Sequence, residues 1–416
     1  MSSKNHKIYL DYAATTPVDK EVLQVMAPYF SDMFGNASSV HYFGQEAINA
    51  VDQAREKIAK LLNCQFDKII FTGSATEANN LAIQGITKKL ASPVGDRNLM
   101  KTMHFITSVI EHESVHEPLK ELEKLGHEVT YLPVNKDGFI KVFDLEKAIK
   151  NNTVLVSIIY ASNEIGTIQP IKEIGRLIEK SNIKRRGADL PKIYFHTDAV
   201  QAFNYLECRP DWLKVDLLTF SGHKIYGPKG VGALFVRKST PIKPVILGGG
   251  QEFNLRSGTE NVPYIVGLAK AVELVFKNRE KHFKHVENLR NKLLNYIIKY
   301  SKDVKINGAI SNRLPSNLNI RFPSIDNETL LVALDQSGVA VSAGSACSSR
   351  ATNVSHVLRA IGLSDKQAKE SIRITFGKYA TEKEVKMAAE IINKTILRLK
   401  NFSPKADQPT AEKRHK

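Results

Sequence analysis

The sequence is poor in cysteine and contains no long apolar segment. Its three cysteines, Cys64, Cys208 and Cys347, lie far apart, with no C-x-x-C pair and no zinc-type Cys/His spacing. The longest strongly apolar stretch, VLVSIIY at 154–160, is far shorter than the ~20 residues that span a bilayer. The first residues, MSSKNHKIYLDY, lack the apolar core of a signal peptide. These absences argue against a disulfide scaffold, a structural zinc site and a membrane span, and they predict a cytoplasmic protein with reduced thiols.

The chain is strongly basic, with 59 Lys and Arg against 43 Asp and Glu, a formal net charge of +16. Such an excess is typical of proteins that bind nucleic acid, membranes or acidic partners. No stacking platform or basic–aromatic motif accompanies it, so we expect no direct nucleic-acid binding. Much of the excess lies in 182–192, 270–299 and 403–416, outside every motif described below. It is most simply a solvated surface that could steer acidic acceptor proteins.

Short apolar runs alternate with helical patterns through the first 260 residues. These runs, each rich in Val, Ile and Phe, are 68–72, 103–109, 129–132, 154–160, 193–197, 215–220 and 231–236. Runs of this length are typical of strands that are buried on both faces. The alternation predicts an α/β fold with a mostly parallel seven-stranded sheet flanked by helices.

The last third of the chain has a different pattern. It predicts one or two helices over 263–300, helices at 327–337 and 382–399, and short strands at 317–322 and 371–376. We therefore predict a large domain over 17–262 and a smaller α+β domain formed by 1–16 and 263–402. The final residues, 403–416, are polar and predict a disordered tail.

Polar residues follow four of the predicted strands, including Ser162, Asn163 and Glu164 after 154–160, at the strand ends where ligands of parallel sheets bind. The segment TGSATE at 72–77 leads into a helix whose first N–H groups can hold a phosphate, although Ser74 and Glu77 also fit a simple capping box. Asp198 ends another strand, and Lys224 lies in a Gly-bounded turn after a third. Pyridoxal phosphate requires an amine, an acid for its ring nitrogen and a phosphate cup, and the chain offers all three.

Cys347 lies in a run of small polar residues, VSAGSACSSR at 341–350. Such a run buries little surface, so we expect a mobile segment, which suits a thiolate that must travel. Cys64 and Cys208 follow helix-like or strand-like segments and are expected to be inert.

Together these residues resemble the NifS/IscS-type cysteine desulfurases, pyridoxal phosphate enzymes of the aspartate aminotransferase fold. The resemblance extends from about residue 8 to 399. It rests on many motifs in order: YLDYAATTP (9–17), FGNASSVH (34–41), GSATEANNLA (73–82), EH (111–112), SNEIG (162–166), HTDAVQ (196–201), SGHKIYGPKGVGAL (221–234), RSGTEN (256–261), SAGSACSS (342–349) and SIRITFG (371–377).

The resemblance implies that Lys224 carries the cofactor as an internal aldimine and later moves the Cα proton. It also implies a phosphate cup formed by Ala75, Thr76, Ser221, Gly222 and His223. Thr259 resembles a residue that reaches the phosphate of the neighbouring subunit, which implies a homodimer with composite sites.

For the cofactor ring, the resemblance implies that Asp198 pairs with the pyridinium nitrogen and that His112 stacks on the ring as a further catalytic residue. Asn163 and Gln201 would bond near the ring hydroxyl.

For the substrate, Arg373 resembles the clamp for the carboxylate, because a planar guanidinium binds a carboxylate through two hydrogen bonds. Asn36 is a weaker candidate nearby.

The implied reaction converts L-cysteine to L-alanine through a pyridoxal phosphate ketimine and leaves a persulfide on Cys347. The segment SAGSACSSR resembles the long loop of the IscS/NifS branch, which can deliver sulfur to several acceptors. An iron–sulfur cluster scaffold or a tRNA-thiolation carrier would be such an acceptor, and the sequence does not choose between them. A selenocysteine lyase or an aminotransferase of the same fold remains open.

One motif points to another class of enzyme. HESVH at 112–116 satisfies H-E-x-x-H, the zinc metallopeptidase signature, which requires both histidines on one continuous helix. Because proline is tolerated mainly in a first helical turn, Pro118 predicts a helix that begins around Ser114 and leaves His112 on the preceding loop. We therefore predict no metal site. The stretch 182–192 fits no motif and receives no function.

Overall fold

The architecture is taken from a computed structural model that describes residues 7–91, 102–344 and 354–402. Cys347 and the tail 403–416, both singled out in the sequence, lie outside the described residues.

The described ranges contain the following strands and helices. The strands are β1 (Ile8–Tyr9), β2 (Ile69–Thr72), β3 (His104–Ser108), β4 (Glu128–Leu132), β5 (Thr153–Ser157), β6 (Tyr194–Asp198), β7 (Leu217–Ser221), β8 (Gly232–Val236), β9 (Lys305–Ile306), β10 (Asn317–Arg321), β11 (Val339–Ala340) and β12 (Ser371–Thr375). The helices are α1 (Lys20–Met26), α2 (Pro28–Ser31), α3 (Tyr42–Leu62), α4 (Ala75–Leu90), α5 (Glu113–Lys124), α6 (Val142–Ala148), α7 (Ile171–Gly187), α8 (Pro210–Leu213), α9 (Gln251–Asn254, a left-handed turn), α10 (Val262–Tyr300), α11 (Asn327–Gln336), α12 (His356–Ala360), α13 (Asp365–Ala368) and α14 (Glu382–Phe402).

The central sheet has seven strands in the order β2-β8-β7-β6-β5-β3-β4. All neighbouring pairs are parallel except those of β8, which is antiparallel to both β2 and β7. Every residue of β3, β5, β7 and β8 is buried. The predicted mostly parallel seven-stranded α/β fold is confirmed, and its strands are buried on both faces because helices cover the sheet on either side.

The predicted strands agree with the observed ones to within a few residues. The largest difference is at 154–160, where pairing ends at Ser157 and the chain continues into the cavity described below. The pattern over 263–300 forms one helix, α10, of 39 residues. Pro263 occupies its first turn, where a missing N–H costs nothing, and the side chain of Asn261 caps it by accepting from the Tyr264 N–H.

A second, antiparallel sheet in the order β12-β10-β9 contacts α10 through β10 and α11 through β12, and α14 packs against α10 and α11. The N-terminal strand β1 pairs in parallel with β11, with Ile8 opposite Val339. This pairing supports the proposed assignment of 1–16 to the smaller domain. No helix in the described part of the chain is long and apolar enough to cross a membrane.

The stretch 182–192 ends α7 and turns back to β6. Asn182 both donates to the carbonyl and accepts from the N–H of Ile193. Buried Arg185 donates to the carbonyl oxygens of Pro191, Lys150 and Asn151. Hydrogen bonds between these two side chains and the backbone therefore hold the stretch to Ile193 and to the segment before β5.

Candidate active site

A cavity of ≈ 180 Å³ opens at the carboxyl ends of the parallel strands. It is several times the ~30 Å³ that one water molecule occupies in the liquid. The residues that line it are Ala13, Ala14, Ser74, Ala75, Thr76, His112, Ser114, Ile159, Asn163, Asp198, Val200, Gln201, His223, Lys224 and Arg373. The fold therefore brings together, in one place, most of the residues that the sequence had nominated separately.

Lys224 is the last residue of a 3-10 turn that follows β7. A Cβ on Gly222, at the start of this turn, would lie 2.7 Å from the Pro228 carbonyl oxygen, so only glycine allows the chain to turn so tightly. The Lys224 Nζ donates to the carbonyl oxygens of Ala13 and Ala14, at 2.6 and 2.7 Å. These contacts hold the amine at the cavity wall.

The phosphate-cup prediction concerns the first turn of α4. The side chain of Ser74 caps this helix by accepting from the Glu77 N–H at 3.1 Å, while the N-terminal residues Ala75 and Thr76 line the cavity. A Cβ on Gly232 of β8 would come within 2.7 Å of the Ser74 carbonyl carbon and 2.9 Å of the Ala75 nitrogen. Glycine there lets the helix start lie directly on the sheet, where its N–H groups and dipole favour an anion.

His223 lies beside Lys224 at the same end of the cavity, and its Nδ1 is 3.2 Å from the Thr15 Oγ1. Burial, together with the smaller effect of the nearby positive charges of Lys224 and Lys229, lowers the pKa of His223 to about 4. The ring is therefore neutral at physiological pH and can contribute a hydrogen bond, but no charge, to a bound phosphate.

Asp198 ends β6 and is almost fully buried. Its Oδ1 accepts from the Val200 N–H at 3.0 Å, and its Oδ2 accepts from the Asn79 Nδ2 at 2.9 Å. Two donors compensate the loss of water around the carboxylate. Asp198 thus supplies the buried acid that the sequence predicted, and Asn79 is a partner that the sequence reading missed.

His112 is the residue immediately before α5 and caps that helix through its side chain. Its Nδ1 lies 3.1 Å from the backbone nitrogen of Ser114 and 2.8 Å from the Ser114 Oγ. Ser114 also accepts from the Asn79 Nδ2 at 2.8 Å. The ring that was predicted to stack on the cofactor is thereby connected to the carboxylate of Asp198.

Arg373 lies in the middle of β12 and is buried. One guanidinium nitrogen donates to the Asn163 carbonyl oxygen at 3.0 Å, and another donates to the Asp11 carboxylate at 2.9 Å. Its Nε is buried and has no hydrogen-bond partner among the described residues. A cation with an unsatisfied donor at the cavity is suited to binding an additional anion.

The donor set fits pyridoxal phosphate. It combines an amine, a buried carboxylate, a helix N-terminus and a neutral histidine around one cavity. The side chain of Gln201, which was predicted to contact the ring hydroxyl region, also lines this cavity and donates to the Ala13 carbonyl oxygen at 3.1 Å.

Four of the predicted residues that the structure describes do not line this cavity. Ser221 and Gly222 are buried just behind Lys224. Asn36 is exposed, and its Oδ1 accepts from the Ser38 N–H. Thr259 is exposed at a separate cavity, which Arg256 and Asn261 also line.

The two cysteines that the structure describes are shielded thiols. Burial raises the pKa of Cys64 and of Cys208 to about 12 in each case. Both therefore remain protonated at physiological pH, which agrees with the prediction that they are inert. Cys347, the third predicted catalytic residue, lies outside the described residues.

The H-E-x-x-H motif does not form the helix that a zinc peptidase needs. The helix begins at Glu113 with His112 as its cap, and the His116 Nε2 lies 3.0 Å from the Ser108 carbonyl oxygen. The described residues contain no group of three His, Cys, Asp or Glu side chains that could hold a metal ion. The predicted helix start around Ser114, with His112 left before the helix, lies within one residue of the observed start, and Pro118 lies in the second turn, where its missing N–H leaves one carbonyl of the first turn without its helical partner.

Comparison with known proteins identifies the family of the chain. The aminotransferase class-V family matches residues 8–387. The cysteine desulfurase IscS of Dictyoglomus turgidum is 46% identical over 398 residues, covering 96% of each chain. The cysteine desulfurase IscS 1 of Archaeoglobus fulgidus is 42% identical over 396 residues, covering 95% of this chain and 98% of the relative.

Solved structures share the whole architecture. A NifS-like protein superimposes with a TM-score of 0.86 at 37% identity and covers 94% of this chain and all of its own. SspA in complex with cysteine gives a TM-score of 0.75 at 38% identity, over 90% of this chain and all of its own.

Proposed function

The chain belongs to the class-V aminotransferase family, and we propose that it is a cysteine desulfurase that transfers the sulfur of L-cysteine to its own Cys347. The observation that carries this proposal is the convergence of Lys224, Asp198 and Arg373 on one cavity. Relatives at 42–46% identity over nearly the full length are cysteine desulfurases, and SspA, a structural neighbour, binds cysteine.

Pyridoxal phosphate is the cofactor of this family. When bound, it supplies an electron sink that makes the Cα proton of an amino acid easier to remove. Ala75, Thr76 and His223 would hold its phosphate, with Ser221 and Gly222 shaping the turn behind them. Asp198 would keep its ring nitrogen protonated, and His112 would cover one face of the ring.

Lys224 is the amine that would hold the cofactor and then move the substrate's proton. Its Nζ donates to the Ala13 and Ala14 carbonyl oxygens, and these two hydrogen bonds position the amine at the cavity. Asn163 and Gln201, across the cavity, would orient the ring through its hydroxyl side.

Arg373 would bind the substrate's carboxylate. Asp11 and Asn163 hold its guanidinium in place by accepting one N–H from each terminal nitrogen, and each of these nitrogens keeps a second N–H for a carboxylate. Asn36 is the second, weaker candidate for this role. A substrate fixed at its carboxylate presents its Cα to Lys224 and its thiol to the incoming nucleophile.

Cys347 would then attack the substrate sulfur as a thiolate. The bond between that sulfur and the substrate's Cβ breaks, a bond between the two sulfur atoms forms, and Cβ gains a proton to give L-alanine. The persulfide sulfur passes to an acceptor protein, such as an iron–sulfur cluster scaffold or a tRNA-thiolation carrier. We place the reaction in the cytoplasm.

We propose that the chain works as a homodimer in which Thr259 reaches the partner's cofactor phosphate. Support comes from the position of Thr259, which is exposed and lines a cavity other than that of Lys224. Large apolar side chains are also exposed close to the candidate Asn36, with Phe34 and Tyr42 more than two-thirds exposed. A dimer would cover such a surface.

The experiment that tests the function compares Cys347→Ser with Cys64→Ser. We expect Cys347→Ser to keep the yellow cofactor absorbance and to lose sulfide release from L-cysteine, while Cys64→Ser keeps both. Sulfide release at the wild-type rate from Cys347→Ser would refute the persulfide step. An aminotransferase would not need this thiol, and a selenocysteine lyase would act on selenocysteine while leaving cysteine untouched in the wild-type protein.

A further inference from the structure

The side chains of His112, Ser114, Asn79 and Asp198 form one continuous chain of hydrogen bonds along the cavity wall, which three of them line. The distances along it are 2.8 Å from the His112 Nδ1 to the Ser114 Oγ, 2.8 Å from that oxygen to the Asn79 Nδ2, and 2.9 Å from the same nitrogen to the Asp198 Oδ2. Asn79 is fully buried and Ser114 nearly so. The direction of each hydrogen bond can therefore be assigned from the chemistry of its partners.

The assignment starts at Asp198. A carboxylate oxygen accepts hydrogen bonds, and the Asn79 atom that faces it is the amide nitrogen. That nitrogen has two hydrogens, and its second contact is the Ser114 Oγ. The Asn79 Oδ1 is buried and has no hydrogen-bond partner among the described residues. The Asn79 carbonyl oxygen is thus left without a hydrogen bond from any described residue, while the amide nitrogen donates one hydrogen to Ser114 and the other to Asp198.

The next step is at His112. Because the Ser114 Oγ accepts from Asn79, its own hydrogen is available for the His112 Nδ1. The backbone N–H of Ser114 points at the same ring nitrogen, at 3.1 Å, and a backbone N–H can only donate. The Nδ1 is thus an acceptor and carries no proton.

From this network we infer that His112 is held as the neutral Nε2–H tautomer, with Asn79 and Ser114 as the positioning residues. The network connects His112, which is predicted to cover one face of the cofactor ring, with Asp198, which is predicted to contact the ring nitrogen. Both residues line the cavity. An imidazolium ring would place an Nδ1–H against the backbone N–H of Ser114, which can only donate, and is disfavoured. His112 therefore presents one defined N–H, on Nε2, as a proton or hydrogen-bond donor during turnover. The tautomer follows from the contacts alone, whereas its use in turnover rests on the proposed function.

Nitrogen NMR of protein labelled with ¹⁵N-histidine tests the tautomer directly, with cofactor bound and after its removal. The His112 signals are assigned by their loss in His112→Gln. We expect the Nδ1 to resonate as an unprotonated nitrogen and the Nε2 as a protonated one near neutral pH. A protonated Nδ1, or two protonated nitrogens, would overturn the inference. If the tautomer is as expected and no sulfide is released from cysteine, the proposed function fails and the tautomer assignment stands.

Variants test the positioning residues. Ser114→Ala removes the hydroxyl but retains the backbone N–H, so we expect a measurable population of the Nδ1–H tautomer and a fall in kcat of about tenfold with little change in KM. Ser114→Thr restores the hydroxyl and should restore both readouts. Asn79→Ala should shift the His112 nitrogen signals in the same direction, whereas Gln84→Ala, on the same helix away from the cavity, should not. Wild-type signals and kcat in Asn79→Ala would exclude Asn79 from the network.

Discussion

The carboxylate of Asp11 lies 2.9 Å from the guanidinium of Arg373, although 362 residues separate them in the chain. Asp11 also accepts from the Ser342 Oγ at 2.7 Å through its other oxygen. Ser342 pairs with Arg373 through backbone hydrogen bonds and stands five residues before Cys347. Through Asp11, the N-terminal segment therefore holds Arg373, the predicted substrate clamp. It also holds Ser342, which begins the segment that contains Cys347, the predicted sulfur carrier.

Arg373→Lys tests the clamp. Lysine keeps the positive charge but loses the planar fork, so part of the hydrogen bonding to a carboxylate is lost. Hydrogen bonds to charged groups contribute about 1.5–3 kcal/mol, so we expect KM for L-cysteine to rise roughly 10-fold to 100-fold with kcat nearly unchanged. Steady-state kinetics measure this. Arg321→Lys, at the end of the neighbouring strand, is the control, and an unchanged KM in Arg373→Lys would place the carboxylate site elsewhere.

Lys224→Ala tests the covalent anchor. We expect borohydride reduction followed by mass spectrometry of peptides to find the cofactor attached to residue 224 in the wild-type protein and to no residue in the variant. Lys229→Ala removes an exposed lysine nearby and should retain the attachment. A reducible attachment at another lysine in Lys224→Ala would show that the anchor was misassigned.

Gly232→Ala tests the phosphate cup without touching a polar side chain. The new Cβ would lie 2.7 Å from the Ser74 carbonyl carbon and 2.9 Å from the Ala75 nitrogen, so the start of α4 must move. We expect cofactor affinity, measured by equilibrium dialysis, to fall at least tenfold, or about 1.4 kcal/mol. Gly187→Ala meets no atom within 4 Å and should bind the cofactor normally. Normal affinity in Gly232→Ala would mean that the helix start does not hold the phosphate.

Glu111→Gln tests a buried acid that the sequence reading left without a role. Burial raises the pKa of the fully enclosed Glu111 carboxyl to about 8, although the Ser108 hydroxyl and the Ile159 N–H donate to it. Between about pH 4.5 and 8, the unfolded chain releases this proton while the folded protein keeps it. The unfolded state then binds fewer protons, so Glu111 lowers the free energy of unfolding as the pH rises through this window, by at most ~1.4 kcal/mol per pH unit.

Glutamine keeps an acceptor oxygen for Ser108 and Ile159 and does not ionise. Denaturant unfolding of Glu111→Gln between pH 5 and pH 8 should therefore show a smaller loss of stability than the wild-type protein shows over the same range. A pH dependence that is identical in both proteins would contradict the raised pKa. The variant Glu128→Gln, which removes an exposed carboxylate, controls for a general effect of lost charge.

Local sequence determined the elements of the fold, because the strands are continuous apolar runs and the helices have clear periodicity and caps. The helix α10 and the strands β10 and β12 lie close to where the pattern predicted them. The site residues Lys224 and Asp198 were also found from sequence, since each follows a strand within a recognisable motif. Pairings such as Asn79 with Asp198 were not found, because a partner 119 residues away leaves no local signal.

The sequence by itself determined which elements form, the chemistry of the side chains at the ends of the strands, and the family. The tertiary structure decided which of those side chains meet: it brought Lys224, Asp198 and Arg373 to one cavity, left Thr259 at another, and joined Asp11 to Arg373. The physical reason is that periodicity and capping act over a few residues, whereas the environment of a buried charge depends on whatever the folded chain packs against it.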